Sequence, residues 1–195
     1  GPETLTGNED DDIVLGDYGQ VTLLDGFAVQ IETTDLAHGG DDVIEGNTGN
    51  DVILGGQGDD IIDADNAIVD PVTESSSLAD GNDVVIGDNG RVDLVQAVET
   101  AFGAAAMLTD RVVRIETTDE AASQGGRDTI TGAAGQDVIM GGNDRDTISG
   151  HAGRDAILGD NGQVDLDNRS TWALPGLAGP VDQINLIATT QPTLG

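Results

Sequence analysis

Residues 37–63 read AHGGDDVIE, GNTGNDVIL and GGQGDDIID, three nine-residue units laid end to end. Four more run through 123–158 (SQGGRDTIT, GAAGQDVIM, GGNDRDTIS, GHAGRDAIL), and single units stand at 7–15 (GNEDDDIVL) and 78–86 (LADGNDVVI). Position six is Asp in all nine: Asp12, Asp42, Asp51, Asp60, Asp83, Asp128, Asp137, Asp146 and Asp155. Position eight is always Val or Ile: Val14, Ile44, Ile53, Ile62, Val85, Ile130, Ile139, Ile148 and Ile157. Position four is Gly in seven units and Asp in two, Asp10 and Asp144. One unvarying acid and one unvarying β-branched residue at fixed spacing make the repeat the unit of folding.

Each unit has a physical reading. Its Gly-rich first six residues form a tight turn that exposes backbone carbonyls. The last three are a very short strand whose middle side chain faces inward, a place that Ile and Val suit. So short a strand cannot stand alone, and neighbouring units must stack to bury a continuous core.

The charge poses a second problem. The chain has 37 acidic residues against 7 basic ones, a net charge of -30. All seven are Arg, and the first 90 residues hold 22 acids with no basic residue among them. Nucleic acid and anionic membrane, which need basic surface, are excluded as main partners. An acidic chain with so few aromatics reads as disordered without a ligand, whereas the aspartate register reads as a set of cation sites. Turns offering carbonyls and one carboxylate are oxygen-only cages, which suit Ca²⁺ better than Mg²⁺. Zinc or copper would need Cys or His, and there are no cysteines and two histidines. A lone Asp in such a turn reads as a turn residue; nine in register read as ligands. No apolar run is long enough for a membrane helix.

The units resemble the GGxGxDxUx nonapeptide of the repeats-in-toxin (RTX) family over roughly half of the chain. The resemblance implies an all-β fold, a right-handed parallel β-roll in which two units make one coil. It implies several Ca²⁺ ions, each held between stacked turns by two position-six carboxylates and turn carbonyls. Carried onto this chain, Asp42 pairs with Asp60, Asp128 with Asp146 and Asp137 with Asp155. The departures lie at positions one and two of the first units, where Ala37, His38, Ser123, Gln124, Leu78 and Ala79 stand for glycine. Imperfect turns there would weaken a site. The resemblance also implies type I export from a bacterium and an extracellular or cell-surface location.

A second motif ends each block: GDYGQVTL (16–23), GDNGRVDL (87–94) and GDNGQVDL (159–166), with a worn copy, ADNAIVD, at 64–70. Its Asp lies at position two, in Asp17, Asp65, Asp88 and Asp160, which are further candidate ligands. Alternating strands follow. VTLLDGFAVQIETTD (21–35) holds Asp25-Gly26 between apolar runs, a hairpin signal. IETTD recurs at 115–119, and INLIATTQ (184–191) is a third, altered copy. The GDxG turns recur every 71 or 72 residues.

These signals predict one continuous roll with projecting β-hairpin inserts. Residues 1–2 read as an expression scar, 3–36 as the first repeat and hairpin, and 37–63 as the first roll block. Residues 64–122 hold linking repeats and a hairpin, 123–162 the second block, and 163–195 the start of a third hairpin. With the inserts excised, Asp12, Asp42, Asp60, Asp83, Asp128 and Asp146 fall on one side of the roll, and Asp51, Asp137 and Asp155 on the other. Loops are expected at 72–78 and, around Trp172, at 168–181.

Catalysis is not expected. His38 and His151 each occupy position two of a unit and read as replacements for turn glycine. Ser75, Ser76 and Ser77 have no histidine near them in sequence, so no acyl-transfer triad is legible. The function expected is a calcium-binding structural module of a large secreted or surface protein (adhesin, S-layer or matrix type) that folds on Ca²⁺. Its partners would be calcium, neighbouring modules of the same chain and an unidentified surface ligand. The alternative is a calcium-triggered folding and secretion segment of a type I-secreted toxin or hydrolase.

Overall fold

A computed structural model describes residues 1–65, 81–95, 108–119, 121, 123–166 and 184–189. The loops expected at 72–78 and 168–181 lie outside the described residues.

In chain order, the repeats and inserts form β1 (Thr4–Glu9), β2 (Ile13–Leu15), β3 (Gly19–Leu24), β4 (Phe27–Thr33), β5 (Val43–Thr48), β6 (Val52–Leu54), β7 (Ile61–Asp63), β8 (Val84–Ile86) and β9 (Gly90–Leu94). They continue as β10 (Val112–Thr117), β11 (Thr129–Thr131), β12 (Ala134–Gly135), β13 (Val138–Met140), β14 (Thr147–Ser149), β15 (Ala152–Gly153), β16 (Ala156–Leu158), β17 (Gly162–Leu166) and β18 (Ile184–Thr189). The described residues are all-β apart from a 3₁₀ turn at Thr109–Arg111.

Two five-stranded parallel sheets carry the repeats. One has the order β1-β5-β7-β11-β14 and the other β2-β6-β8-β13-β16. The chain alternates between them, so each coil gives one strand to each sheet. Their shared interior is made of the position-eight side chains: Val14, Ile44, Ile53, Ile62, Val85, Ile130 and Ile139 are buried together, with Leu5 and Ile148 packed against them. Positions seven and nine point the other way. In the β2 sheet these are apolar throughout: Ile13 and Leu15, Val52 and Leu54, Val84 and Ile86, Val138 and Met140, Ala156 and Leu158. In the β1 sheet most are Thr, Ser, Asp or Glu. The β2 sheet is therefore apolar on both faces and needs a second cover.

The inserts supply it. Their strands join edge to edge in one six-stranded antiparallel sheet, β3-β4-β9-β10-β17-β18. Ile31, Val92, Leu94, Val112, Ile115, Val164 and Leu166 of this hairpin sheet share a core with the outward residues of the β2 sheet. The inserts thus lie against the coils as a third layer instead of projecting singly. Spacing explains why they can. Neighbouring strands are about 4.8 Å apart, so a hairpin of two strands and a pair of stacked coils advance equally. A hairpin leaves after every second strand of the β2 sheet, following β2, β8 and β16. The first turns through Asp25 (φ 53°) and Gly26 (φ 87°), the doubled positive φ of a tight hairpin loop.

Candidate metal centre

Strand pairing places the position-six aspartates at two corners of the stack. At the start of the β1-sheet strands lie Asp42, Asp60, Asp128 and Asp146; at the start of the β2-sheet strands lie Asp12, Asp51, Asp83, Asp137 and Asp155. This corrects the expected sides for Asp12 and Asp83. The residues on either side of an insert make one turn, not two, and the apolar pairs Ile13/Leu15 and Val84/Ile86 mark both strands as lying under the hairpins.

Each corner is a ladder. The Asp42 N–H donates to Asp60 Oδ1 (2.8 Å), Asp60 N–H to Asp128 Oδ1 (2.8 Å) and Asp128 N–H to Asp146 Oδ1 (3.0 Å). At the other corner Asp12 N–H donates to Asp51 Oδ1 (2.8 Å), Asp51 to Asp83 (2.8 Å), Asp83 to Asp137 (3.0 Å) and Asp137 to Asp155 (3.3 Å). One oxygen of each receiving carboxylate is thereby committed to holding coil on coil.

The second oxygen is not. The Oδ2 atoms of Asp12, Asp42, Asp51, Asp60, Asp83, Asp128 and Asp146 are buried with no hydrogen-bond donor. All but that of Asp83 face the glycine that opens the turn. A Cβ added at Gly46 or Gly55 would stand 2.5 Å from Oδ2 of Asp51 or Asp60, and one at Gly132 would stand 2.7 Å from that of Asp137. The same contact joins Gly16 to Asp42 (2.8 Å) and Gly87 to Asp128, although a hairpin intervenes in sequence between each pair. A hairpin therefore splits one nonapeptide turn, and Gly16 and Gly87 stand where Ala37 and Ser123 had suggested imperfect turns.

Burial without a donor disfavours the charged form. It pushes Asp42 up to about 6, Asp51 and Asp60 up to about 7 and Asp128 up to about 8, with the next rung's charge adding to each rise. Asp83 is raised well above the carboxylate range by burial, then by Asp65 and Asp137. Stacked anionic oxygens beside carbonyl-lined glycine turns form a donor set for a hard cation. The residues fit calcium: each stacked pair would offer its Oδ2 atoms and turn carbonyls. Among the described residues no arginine donates to these oxygens: Arg127 meets Asp59 (3.4 Å), Arg91 meets Asp93 (2.8 Å) and Arg114 meets Glu116 (2.5 Å).

The GDxG aspartates behave differently. Asp88 is buried and accepts from the N–H of Gly126 (2.6 Å) and of Asn143, tying the base of a hairpin to two coils. Burial, then Asp128 and Asp119, pushes its carboxyl up to about 10. Asp17 accepts from Gln57 N–H (2.8 Å), Asp65 is buried, and Asp160 is exposed near Asp146, whose carboxyl it helps raise.

Two residues escaped sequence reasoning. Glu3 occupies position six of a worn unit, nine residues before Asp12. Its N–H donates to Asp42 Oδ1 (2.8 Å), and its carboxylate lies with those of Asp17 and Asp42 in a group whose oxygens are within 4.8 Å. Thr4-Leu5-Thr6-Gly7 was the readable signal, a short strand running into the first nonapeptide. Asp119 accepts from Asn89 Nδ2 (2.9 Å) and is pushed up to about 7 by burial; its signal was the repeated IETTD. The histidines separate. His151 holds a positive φ of 57° in its turn, as expected for a glycine replacement, whereas His38 meets Asp35 (3.0 Å).

A family model for the RTX calcium-binding nonapeptide repeat matches in four copies, at residues 1–20, 37–67, 118–148 and 132–163. No curated protein and no solved structure matches.

Proposed function

The chain belongs to the RTX calcium-binding nonapeptide repeat family, whose repeats bind Ca²⁺, and on that premise we propose that it is a structural module of a large secreted or cell-surface bacterial protein. In this reading the stacked coils are a right-handed parallel β-roll, the hand that parallel crossovers adopt, and the module has no catalytic step. One observation carries it: seven buried carboxylate oxygens have no donor, and leaving them so is costly without a cation. At low calcium the anionic chain repels itself and stays open. At extracellular calcium the position-six pairs take up ions, and binding restricted to the folded state stabilises that state.

The hairpin sheet favours a structural module over the alternative of a secretion segment, because a continuous third layer stiffens the stack and adds nothing to export. Circular dichroism during Ca²⁺ titration of EDTA-stripped protein tests the reading, with Mg²⁺ as control. A cooperative, calcium-specific gain of β structure is expected. A spectrum indifferent to calcium and chelator would make the aspartates turn residues and end the proposal.

A further inference from the structure

Every unbroken turn of the stack holds a left-handed residue at position two: Asn8, Asn47, Gly56, Ala133, Gly142 and His151, at φ between 57° and 111°. Three turns are split by an insert and resume beyond it, and their position two is Asp17, Asp65 and Asp88. None of these three has a positive φ. Asp160 opens the third hairpin from the same position. Aspartate thus stands at position two where a turn is broken, and in no unbroken turn.

Freed from the left-handed backbone, the carboxylate lies where the two halves of the turn meet. Asp88 accepts from Gly126 N–H (2.6 Å) on the returning half and from Asn143 N–H on the next coil. Asp17 accepts from Gln57 N–H (2.8 Å) in the same way. Position three of the returning half is Gly39 or Gly125, and a Cβ at either would fall on that carboxylate. The unbroken turns of the same corner carry Gln57 and Asn143 there.

The same carboxylates approach the position-six oxygens. Oxygens of Glu3, Asp17 and Asp42 lie within 4.8 Å of one another, a spread that one Ca²⁺ with ligands at about 2.4 Å can bridge. Asp42 is 1% exposed and its Oδ2 has no donor, so the group contains a buried oxygen that a cation would satisfy. The other split turns repeat the neighbourhood. Asp65 is the strongest charge acting on Asp83, and Asp128 the strongest acting on Asp88. The Oδ2 atoms of Asp83 and Asp128 are likewise buried without a donor.

We propose that the split turns hold the tightest calcium ions of the chain, with the position-two aspartate as an added anionic ligand. The proposal rests on the calcium reading above. Affinity of an oxygen cage is set by its count of charged ligands and its rigidity, and a split turn offers one carboxylate more than an unbroken one. Such a site also joins segments that an insert separates: Asp17 with Asp42, Asp65 with Asp83, Asp88 with Asp128. Ion uptake there closes the turn and seats the base of the insert on the coils, so these sites fill first as calcium rises.

Calcium titration of the 195-residue chain against a competing chelator counts the ions in each affinity class, and two classes are expected. Asp17→Asn and Asp88→Asn should each move one ion from the tight class to the weak one, loosening it by roughly tenfold or more. Circular dichroism in saturating calcium should stay as in the parent. Asp41→Asn, which removes an equal charge from an exposed position-five side chain, should leave the tight class whole. A single class in the parent, an undiminished tight class in Asp17→Asn, or an equal loss in Asp41→Asn overturns the proposal. Asp17 is only half-buried, so its variant decides the matter even where Asp88→Asn fails to fold. A parent that takes up no calcium instead overturns the reading beneath it.

Discussion

In the units that begin with Gly, positions two and four take a positive φ, and the side chains placed there carry strain. Ala133 sits at φ 68°, Asp144 at 67° and His151 at 57°, conformations that cost about 1 kcal/mol without glycine. Ala133→Gly is therefore expected to stabilise the calcium-loaded protein by about that much, read from denaturant midpoints. Position six is constrained by charge. Asp60→Asn keeps the Oδ1 acceptor for Asp42 but replaces the buried anionic oxygen with a donor. The calcium midpoint should rise several-fold, while the calcium-free variant should retain more β structure at pH 8 than the parent. Dichroism with and without EDTA measures both, and a variant that binds calcium like the parent would remove Asp60 from the ligand set. The aspartate register was legible because one residue type holds position six in all nine units. Glu3 was not, because one conservative acid and a Thr-rich strand erase the motif while leaving the geometry.

Among the elements, the hairpin strands depend on their neighbours for burial. Ile115 lies between Val92 and Val164 with no exposed surface, so Ile115→Ala should cost about 2–5 kcal/mol. Ile187→Ala, at the edge of the same row, should cost under about 1 kcal/mol. Chemical denaturation in saturating calcium compares them, and equal losses would mean that the hairpin sheet does not pack on the β2 sheet. Hairpins and repeats were each readable in the sequence, since turn residues and periodicity are local. Their mutual arrangement was not, because pairing of β4 with β9 and of β10 with β17 joins segments distant along the chain. Positions seven and nine held the missing information. An apolar pair there marks a strand covered on both faces, a weaker signal than the unvarying Asp and β-branched residue beside it.

At the scale of the whole molecule, the raised carboxyls set a pH dependence with a definite sign. An unfolded Asp titrates near 3.9, and folding raises Asp42, Asp51, Asp60 and Asp128 to between about 6 and about 8. The calcium-free fold binds more protons than the open chain, so its stability is fully present below about pH 4 and is lost as pH rises through that higher range. Acidifying the EDTA-treated protein from pH 8 to pH 5 should restore β structure without any metal. Near pH 6.5 calcium must displace protons from the ladder. Calorimetry in buffers of differing ionisation enthalpy should then show net proton release, and none would contradict the burial of these groups.

The matched advance of hairpin and coil also restricts how such a molecule can be inherited. A duplication copying eighteen residues would add one coil and no hairpin strand, shifting every later hairpin by half its width against the layer beneath. Copying 71 or 72 residues adds two coils with one hairpin, and the layers stay in step. Lengthening of the gene is thus quantised, in increments of about 9.5 Å of protein.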